Sequence, residues 1–99
     1  MTGLYLADIR RVERNAGRAA EKISAVYPER MRKISRLARE KDRLRSLAGA
    51  LLLYEILGAP KILYGEHGKP YIPGGPNFSL SHSADYAVLA VDREPVGVD

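Results

Sequence analysis

Phe78-Ser79-Leu80-Ser81-His82-Ser83, then Ala84-Asp85, then Tyr86-Ala87-Val88-Leu89-Ala90-Val91 is the stretch on which the fold turns. Phe78 to Ser81 alternates apolar and polar residues, as a strand with one buried face does. The unbroken apolar run from Tyr86 to Val91 reads as a strand buried on both faces. Ala84-Asp85 reads as a turn, too short for a helical crossover, so the two strands pair antiparallel. Beyond them, Asp92-Arg93-Glu94-Pro95 reads as another turn and Val96-Gly97-Val98 as another strand.

Toward the amino terminus, Gly3 to Ile9, with Leu4, Tyr5, Leu6 and Ile9, reads as a first strand. Val12, Ala16, Ala19, Ala20, Ile23 and Val26 recur at helical spacing and predict a helix from Arg10 to Val26. Pro28 suits the first position of a new helix, along which Met31, Ile34 and Leu37 form a narrow stripe opposite Arg30, Lys33 and Arg36. The strongest helical segment is Asp42 to Gly58: Leu44, Leu47, Leu51, Leu52 and Leu57 belong to a wide apolar face, and Gly58 with Pro60 ends it. Lys61 to Tyr64 and Pro70 to Ile72 read as short extended pieces around Gly65-Glu66-His67-Gly68, with Pro73-Gly74-Gly75-Pro76 as a turn. The expected class is α+β: a small antiparallel sheet of strands from Gly3, Phe78, Tyr86 and Val96, packed by helices, chiefly Asp42 to Leu57.

Ninety-nine residues, 45% of them apolar, suit one domain spanning 1–99, near the lower limit at which a single core is stabilising unaided. The absence of cysteine excludes disulfides, a thiolate nucleophile and a zinc–thiolate site. Leu51-Leu52-Leu53-Tyr54, the longest strongly apolar run, is far too short to span a bilayer, and Met1-Thr2-Gly3-Leu4 does not open a signal peptide, so a cytoplasmic protein with no membrane partner is expected. The net charge of +4 is uneven: residues 1–46 hold 13 Lys/Arg against 6 Asp/Glu, whereas residues 47–99 hold 3 against 6. A surface in the first half therefore attracts phosphates, whether of nucleic acid, anionic lipid or a polyphosphate cofactor, unless it is simply a solvated helix face.

Three groups of residues can carry chemistry. Gly68-Lys69-Pro70 places a cation on a loop that Gly68 leaves open and Pro70 stiffens, suited to a phosphate or a base edge. Ser81-His82-Ser83 offers hydroxyl donors and an imidazole at a strand end; no Gly-x-Ser-x-Gly elbow surrounds either serine and no acid is spaced to orient His82, which argues against a hydrolase triad. Asp99, following Gly97 and Val98 in an apolar strand, is a carboxylate that would be avoided there unless it met a cation or water, and magnesium (Mg2+) is the natural cation.

In order along the chain, Gly68-Lys69-Pro70-Tyr71-Ile72-Pro73, Asn77-Phe78-Ser79-Leu80-Ser81-His82-Ser83, Tyr86 to Val91 and Pro95-Val96-Gly97-Val98-Asp99 resemble the 4′-phosphopantetheinyl transferases of the larger, two-lobed type. Pro28-Glu29-Arg30 to Lys33 and Asp42-Arg43-Leu44-Arg45-Ser46-Leu47 extend the resemblance upstream over essentially the whole chain. It implies one lobe, the amino-terminal one, of the two-lobed fold. The activity implied is transfer of phosphopantetheine from coenzyme A, the co-substrate, to a serine of an apo carrier protein, with magnesium as cofactor. It also implies that Arg30, Lys33 and Arg45 meet the coenzyme's phosphates, that Gly68, Lys69 and Pro70 touch its adenine and phosphate end, and that Ser81 and His82 meet the nucleotide's phosphates. Asp99 matches the first magnesium ligand and so the catalytic centre.

The family pattern continues with a hydrophobic residue and a glutamate after Gly-Val-Asp, and its second lobe brings a further glutamate and lysine. The chain is therefore expected to hold half of an active site, inactive without a carboxy-terminal lobe. An exposed edge at Val96-Gly97-Val98 is expected to favour a homodimer. His67 replaces the aromatic residue of some members. The rivals are a stand-alone basic module for phosphate or nucleic acid, disfavoured by the lack of aromatic interleaving from Arg30 to Arg45, and the family's small trimeric branch, whose Asp-containing strand lies near the amino terminus.

Overall fold

A computed structural model describes residues 2–92 of the chain. They run as β1 (Thr2–Asp8), α1 (Ile9–Arg14), α2 (Ala16–Val26), α3 (Pro28–Ser35), α4 (Glu40–Leu57), β2 (Leu63–Tyr64), a 3-10 turn (Glu66–Gly68), β3 (Pro70–Tyr71), β4 (Asn77–Ser83) and β5 (Tyr86–Asp92). The α+β class expected from sequence is present. The expected strand at Val96-Gly97-Val98, with the edge argued from it, and Asp99 lie outside the described residues.

Strands β4 and β5 pair antiparallel through the Ala84-Asp85 turn, with Leu80 opposite Leu89 and Ser83 opposite Tyr86. The first strand joins the far side of β5, also antiparallel, with Leu6 opposite Val88, giving the order β1-β5-β4. Strands β2 and β3 form a separate two-stranded ribbon. Because side chains alternate across a strand, one face of the three-stranded sheet carries Phe78, Leu80, Ala87, Leu89 and Ala7. The other carries Leu4, Leu6, Val88, Ala90, Ser79 and Ser81.

Helix α4 lies across the first face and touches all three strands, while α1, α2 and α3 pack on α4. Leu44, Leu47, Ala48, Ala50, Leu52 and Leu53 are buried, so its middle is enclosed on several sides rather than along one stripe. It ends at Gly58, which takes the left-handed conformation (φ 71°) that its position after Leu57 calls for. Leu53 meets Ile23 and Leu89 in one cluster, and all three are fully buried.

Two expectations are corrected here. The stretch Arg10 to Val26 is two helices, because Asn15 (φ −125°, ψ 30°) leaves helical geometry and interrupts the backbone between them; asparagine offers the backbone non-helical alternatives, and the apolar spacing alone runs through the break. Strand β5 is central in the sheet yet is not buried on both faces. Ala87 and Leu89 are buried, whereas Val88 and Ala90 on the other face are only half-buried, since the helices cover one face and leave Leu4 and Leu6 67% and 62% exposed.

Polar ties fix the ends of these elements. Asp8 caps α1: its carboxylate accepts from the Arg10 backbone N–H at 2.9 Å and from the Arg10 guanidinium at 3.1 and 2.9 Å, which holds the carboxyl below its usual range. The Tyr27 hydroxyl, its acidity weakened by burial, donates to the Pro60 carbonyl at 2.6 Å and ties the α2–α3 junction to the chain beyond α4. Three groups converge on the β4–β5 turn. Ile9 N–H donates to the Asp85 carbonyl at 2.8 Å, Lys41 Nζ lies 3.4 Å from the Asp85 carboxylate, and Arg45 Nε donates to the Ala84 carbonyl at 3.0 Å.

Leu53→Ala should lower unfolding stability by about 2–5 kcal/mol in a denaturant titration, since it empties a site closed on all sides. Gly49, buried within α4, has room for a methyl: a Cβ there would stand 3.7 and 3.8 Å from the Leu80 methyls. Gly49→Ala should therefore raise stability by about 0.5–1 kcal/mol through helix propensity in the same titration.

Candidate functional site

Strand β4 is an edge strand, and along it α3, α4 and the turn before β3 enclose a cavity of about 330 Å³. Arg30 enters from α3, Arg45 and Ser46 from α4, Lys69 and Pro70 from the turn, and Ser81 and His82 from β4; Phe78 and Leu80 supply apolar wall. Six residues picked out in the sequence, Arg30, Arg45, Lys69, Pro70, Ser81 and His82, thus meet in one place.

Each is delivered by a local reason. Pro28 opens α3 and sets Arg30 two residues into it. Arg45 is held from behind: Nε donates to Ala84 and Nη1 lies 3.5 Å from Asp42, so the guanidinium has a fixed plane, with no partner for its remaining Nη2 donors among the described residues. Ala84, whose carbonyl takes that bond, is itself left-handed (φ 49°).

The turn carrying Lys69 closes through Gly68 N–H to the Gly65 carbonyl at 3.1 Å and Gly65 N–H to the Lys69 carbonyl at 2.9 Å. It requires positive φ at His67 (62°) and Gly68 (73°), which accounts for the glycine before Lys69. Ser81 and His82 point to opposite sides of β4 by strand alternation, and both reach the cavity, which lies along the edge of β4 that no described strand pairs.

Among the described residues the lining holds three cationic side chains, serine hydroxyls and an imidazole, and no carboxylate. Such a set donates hydrogen bonds and positive charge; it suits a polyanion and lacks the oxygen ligands of a hard metal ion. Among the described residues no three His, Asp or Glu side chains gather closely enough to hold a metal. The expected ligand Asp99 lies outside the described residues. Sharing Lys69, Pro70, Phe78 and Ser79 with this cavity is a second, more apolar one of about 480 Å³ that adds Tyr71, Asn77 and Val91.

Two expected members are elsewhere. Lys33, one turn beyond Arg30, sets its ammonium 5.1 Å from the centre of the Tyr64 ring rather than in the cavity, a cation–π contact that the ribbon provides. Gly68 shapes the turn without lining the cavity. Ser46 and Gly49 line it and were not picked out; Gly49 stands four residues after Arg45 and three after Ser46, and that helical spacing is the signal that marks them.

No helix among the described residues is long and apolar enough to cross a membrane. Searched against models of known protein families, the chain matches none. It does match individual proteins: a 4′-phosphopantetheinyl transferase of Bacillus subtilis, 36% identical over 95 residues (86% of this chain, 42% of the relative). It is also 37% identical over 84 residues to the gsp transferase of the same description from Aneurinibacillus migulanus (77% and 35%). With the AcpT transferase of Escherichia coli strain K12 it shares 49% identity over 61 residues (58% and 31%). The chain thus spans about two fifths or less of the length of these relatives. Over most of its own length the chain is thus similar to part of the 4′-phosphopantetheinyl transferases, as a fragment of that superfamily would be.

Proposed function

We propose that the chain is the amino-terminal, coenzyme-binding lobe of a phosphopantetheinyl transferase of the two-lobed type, acting with a carboxy-terminal lobe on an apo carrier protein. One observation carries this reading: Arg30, Arg45 and Lys69 converge with Ser81 and His82 on a cavity along β4 in whose wall no described residue places a carboxylate. Coenzyme A carries a pyrophosphate and a 3′-phosphate, and three cations around one small cavity match that charge. The adjoining cavity, with Tyr71 and Phe78 in its wall beside Lys69, Glu66 and Asp92, suits an uncharged part of the same molecule.

The geometry supports a role for each residue. Arg45, its plane fixed by Ala84 and Asp42, offers its outer nitrogens to a phosphate as a fork, whereas Lys69 at the tip of a turn acts as a point charge. Ser81 and His82 add hydrogen bonds that hold the phosphate oxygens in one orientation. Transfer then consists of attack by the carrier's serine oxygen on the phosphorus bearing pantetheine, with rupture of the pyrophosphate bond and departure of adenosine 3′,5′-bisphosphate. Little covalent chemistry falls to the protein, and positioning and charge neutralisation lower the barrier. Magnesium, with Asp99 as a ligand, would neutralise the pyrophosphate.

Lys69→Ala and Arg45→Ala should weaken coenzyme A binding far more than dephospho-coenzyme A binding if they hold the 3′-phosphate, at a cost of roughly 1.5–3 kcal/mol for the lost charge-assisted contact. Calorimetric titration with both ligands reads this directly; equal losses would move the two residues to the pyrophosphate. Arg45→Ala also frees the Ala84 carbonyl, so its unfolding curve is recorded beside its binding curve.

For the activity, the protein at the full length of its relatives, incubated with coenzyme A, magnesium and a panel of apo carrier proteins, should add the phosphopantetheine mass to at least one. No added mass on any carrier, beside a working control enzyme, would reject the assignment.

A further inference from the structure

Tyr27 stands at the joint between two walls of the coenzyme cavity without lining it. Its backbone serves two helices at once: its N–H donates to the Ile23 carbonyl at 2.7 Å and closes α2, and its carbonyl accepts from Met31 N–H at 2.9 Å and opens α3. Ile23 is fully buried, so the joint is anchored in the core. Arg30, three residues further on, takes its place in the cavity from that anchor.

The tyrosine ring leads away from α3 to a second wall. Its hydroxyl donates to the Pro60 carbonyl at 2.6 Å. Pro60 lies at a point that needs holding, because the chain leaves α4 through Gly58 and Ala59, both left-handed (φ 71° and 53°), and alanine adopts that region reluctantly. Past Pro60 the chain enters the β2–β3 ribbon, whose turn carries Lys69. The ribbon is separate from the three-stranded sheet, rests on the core through Ile62 and Ile72 at its roots, and leaves Tyr64 and Tyr71 exposed between them. A two-stranded pairing this short has little stability of its own, so the place of Lys69 depends on what holds the roots. The Lys33 ammonium over the Tyr64 ring is a second tie, and it too comes from α3.

Taking the cavity as the coenzyme site, we propose that Tyr27 is a positioning residue: the bond from its hydroxyl to Pro60 fixes the ribbon against α3 and so holds Lys69 at a constant separation from Arg30. A phenylalanine would pack against the core as the tyrosine ring does, and what the hydroxyl adds is the bond. A cavity whose cations are already spaced receives a polyanion without first ordering the ribbon, a cost that binding otherwise bears.

The test compares the protein at the full length of its relatives with its Tyr27→Phe variant, which loses one oxygen and keeps the ring; unfolding curves are recorded beside the binding curves. Calorimetric titration should show coenzyme A bound about threefold more weakly by the variant, and no more than about tenfold, since the loss cannot exceed the worth of one hydrogen bond. The same substitution made in a Lys69→Ala protein should leave the affinity unchanged, because the side chain being positioned is gone. On the ligand-free proteins, nuclear relaxation should show greater mobility of the amides from Gly65 to Lys69 in the variant, with those of α4 unaltered.

An unfolded variant, coenzyme A bound as tightly as by the parent, equal weakening with and without Lys69, or unchanged mobility of the turn would each overturn the proposal; equal weakening in both backgrounds would mark Tyr27 as a support of the fold alone. A parent protein that does not bind coenzyme A rejects the coenzyme reading, and this proposal with it. Normal binding by the parent together with any of the other outcomes rejects this proposal alone.

Discussion

The structure depends on the burial of one helix. Helix α4 crosses all three strands of the sheet and receives α1, α2 and α3 on its remaining sides, so that Leu53, Leu89 and Ile23 are sealed together with no exposed surface. In a chain of this length the apolar area available is barely enough for a domain, and concentrating it on one central helix is what makes it suffice. Everything that positions the phosphate-facing side chains is referred to this helix: Arg45 projects from it, β4 lies against it through Leu80, and α3, which brings Arg30, packs on it.

The same arrangement divides the surface. With helices on one face only, the sheet presents two unlike edges and an open face. At the β4 edge the backbone donors, Ser81 and His82 meet cations from α3, α4 and the turn before β3. At the β1 edge, cations of α1 and α2 meet leucines that no described helix covers. Among the described residues the basic excess of the first half of the sequence is therefore divided between the two edges of the sheet.

What was legible in the sequence follows from local rules. The two-residue interval Ala84-Asp85 between apolar runs defines the hairpin, Pro28 marks the start of α3, and Gly58 marks the end of α4, each because one residue type suits one backbone geometry. What was not legible is tertiary. The apolar spacing of Val12, Ala16 and Ala19 continues through Asn15 and hides the break between α1 and α2. The one-sided cover of β5 depends on where the helices land, which an apolar run cannot report. Arg30, Arg45, Lys69 and Ser81 are separated by 12 to 24 positions at each step, so no spacing rule joins them; the resemblance to a known family did, and it named with them Lys33, whose ammonium lies over the Tyr64 ring.

The bond from Arg45 to the Ala84 carbonyl ends in a turn whose alanine occupies a backbone region that L-residues disfavour by roughly 1–2 kcal/mol. The guanidinium that faces the phosphate cavity is thus also the clasp on a strained hinge between β4 and β5. Replacing Arg45 would therefore remove a cation from the cavity and a tie from the β4–β5 turn in one step.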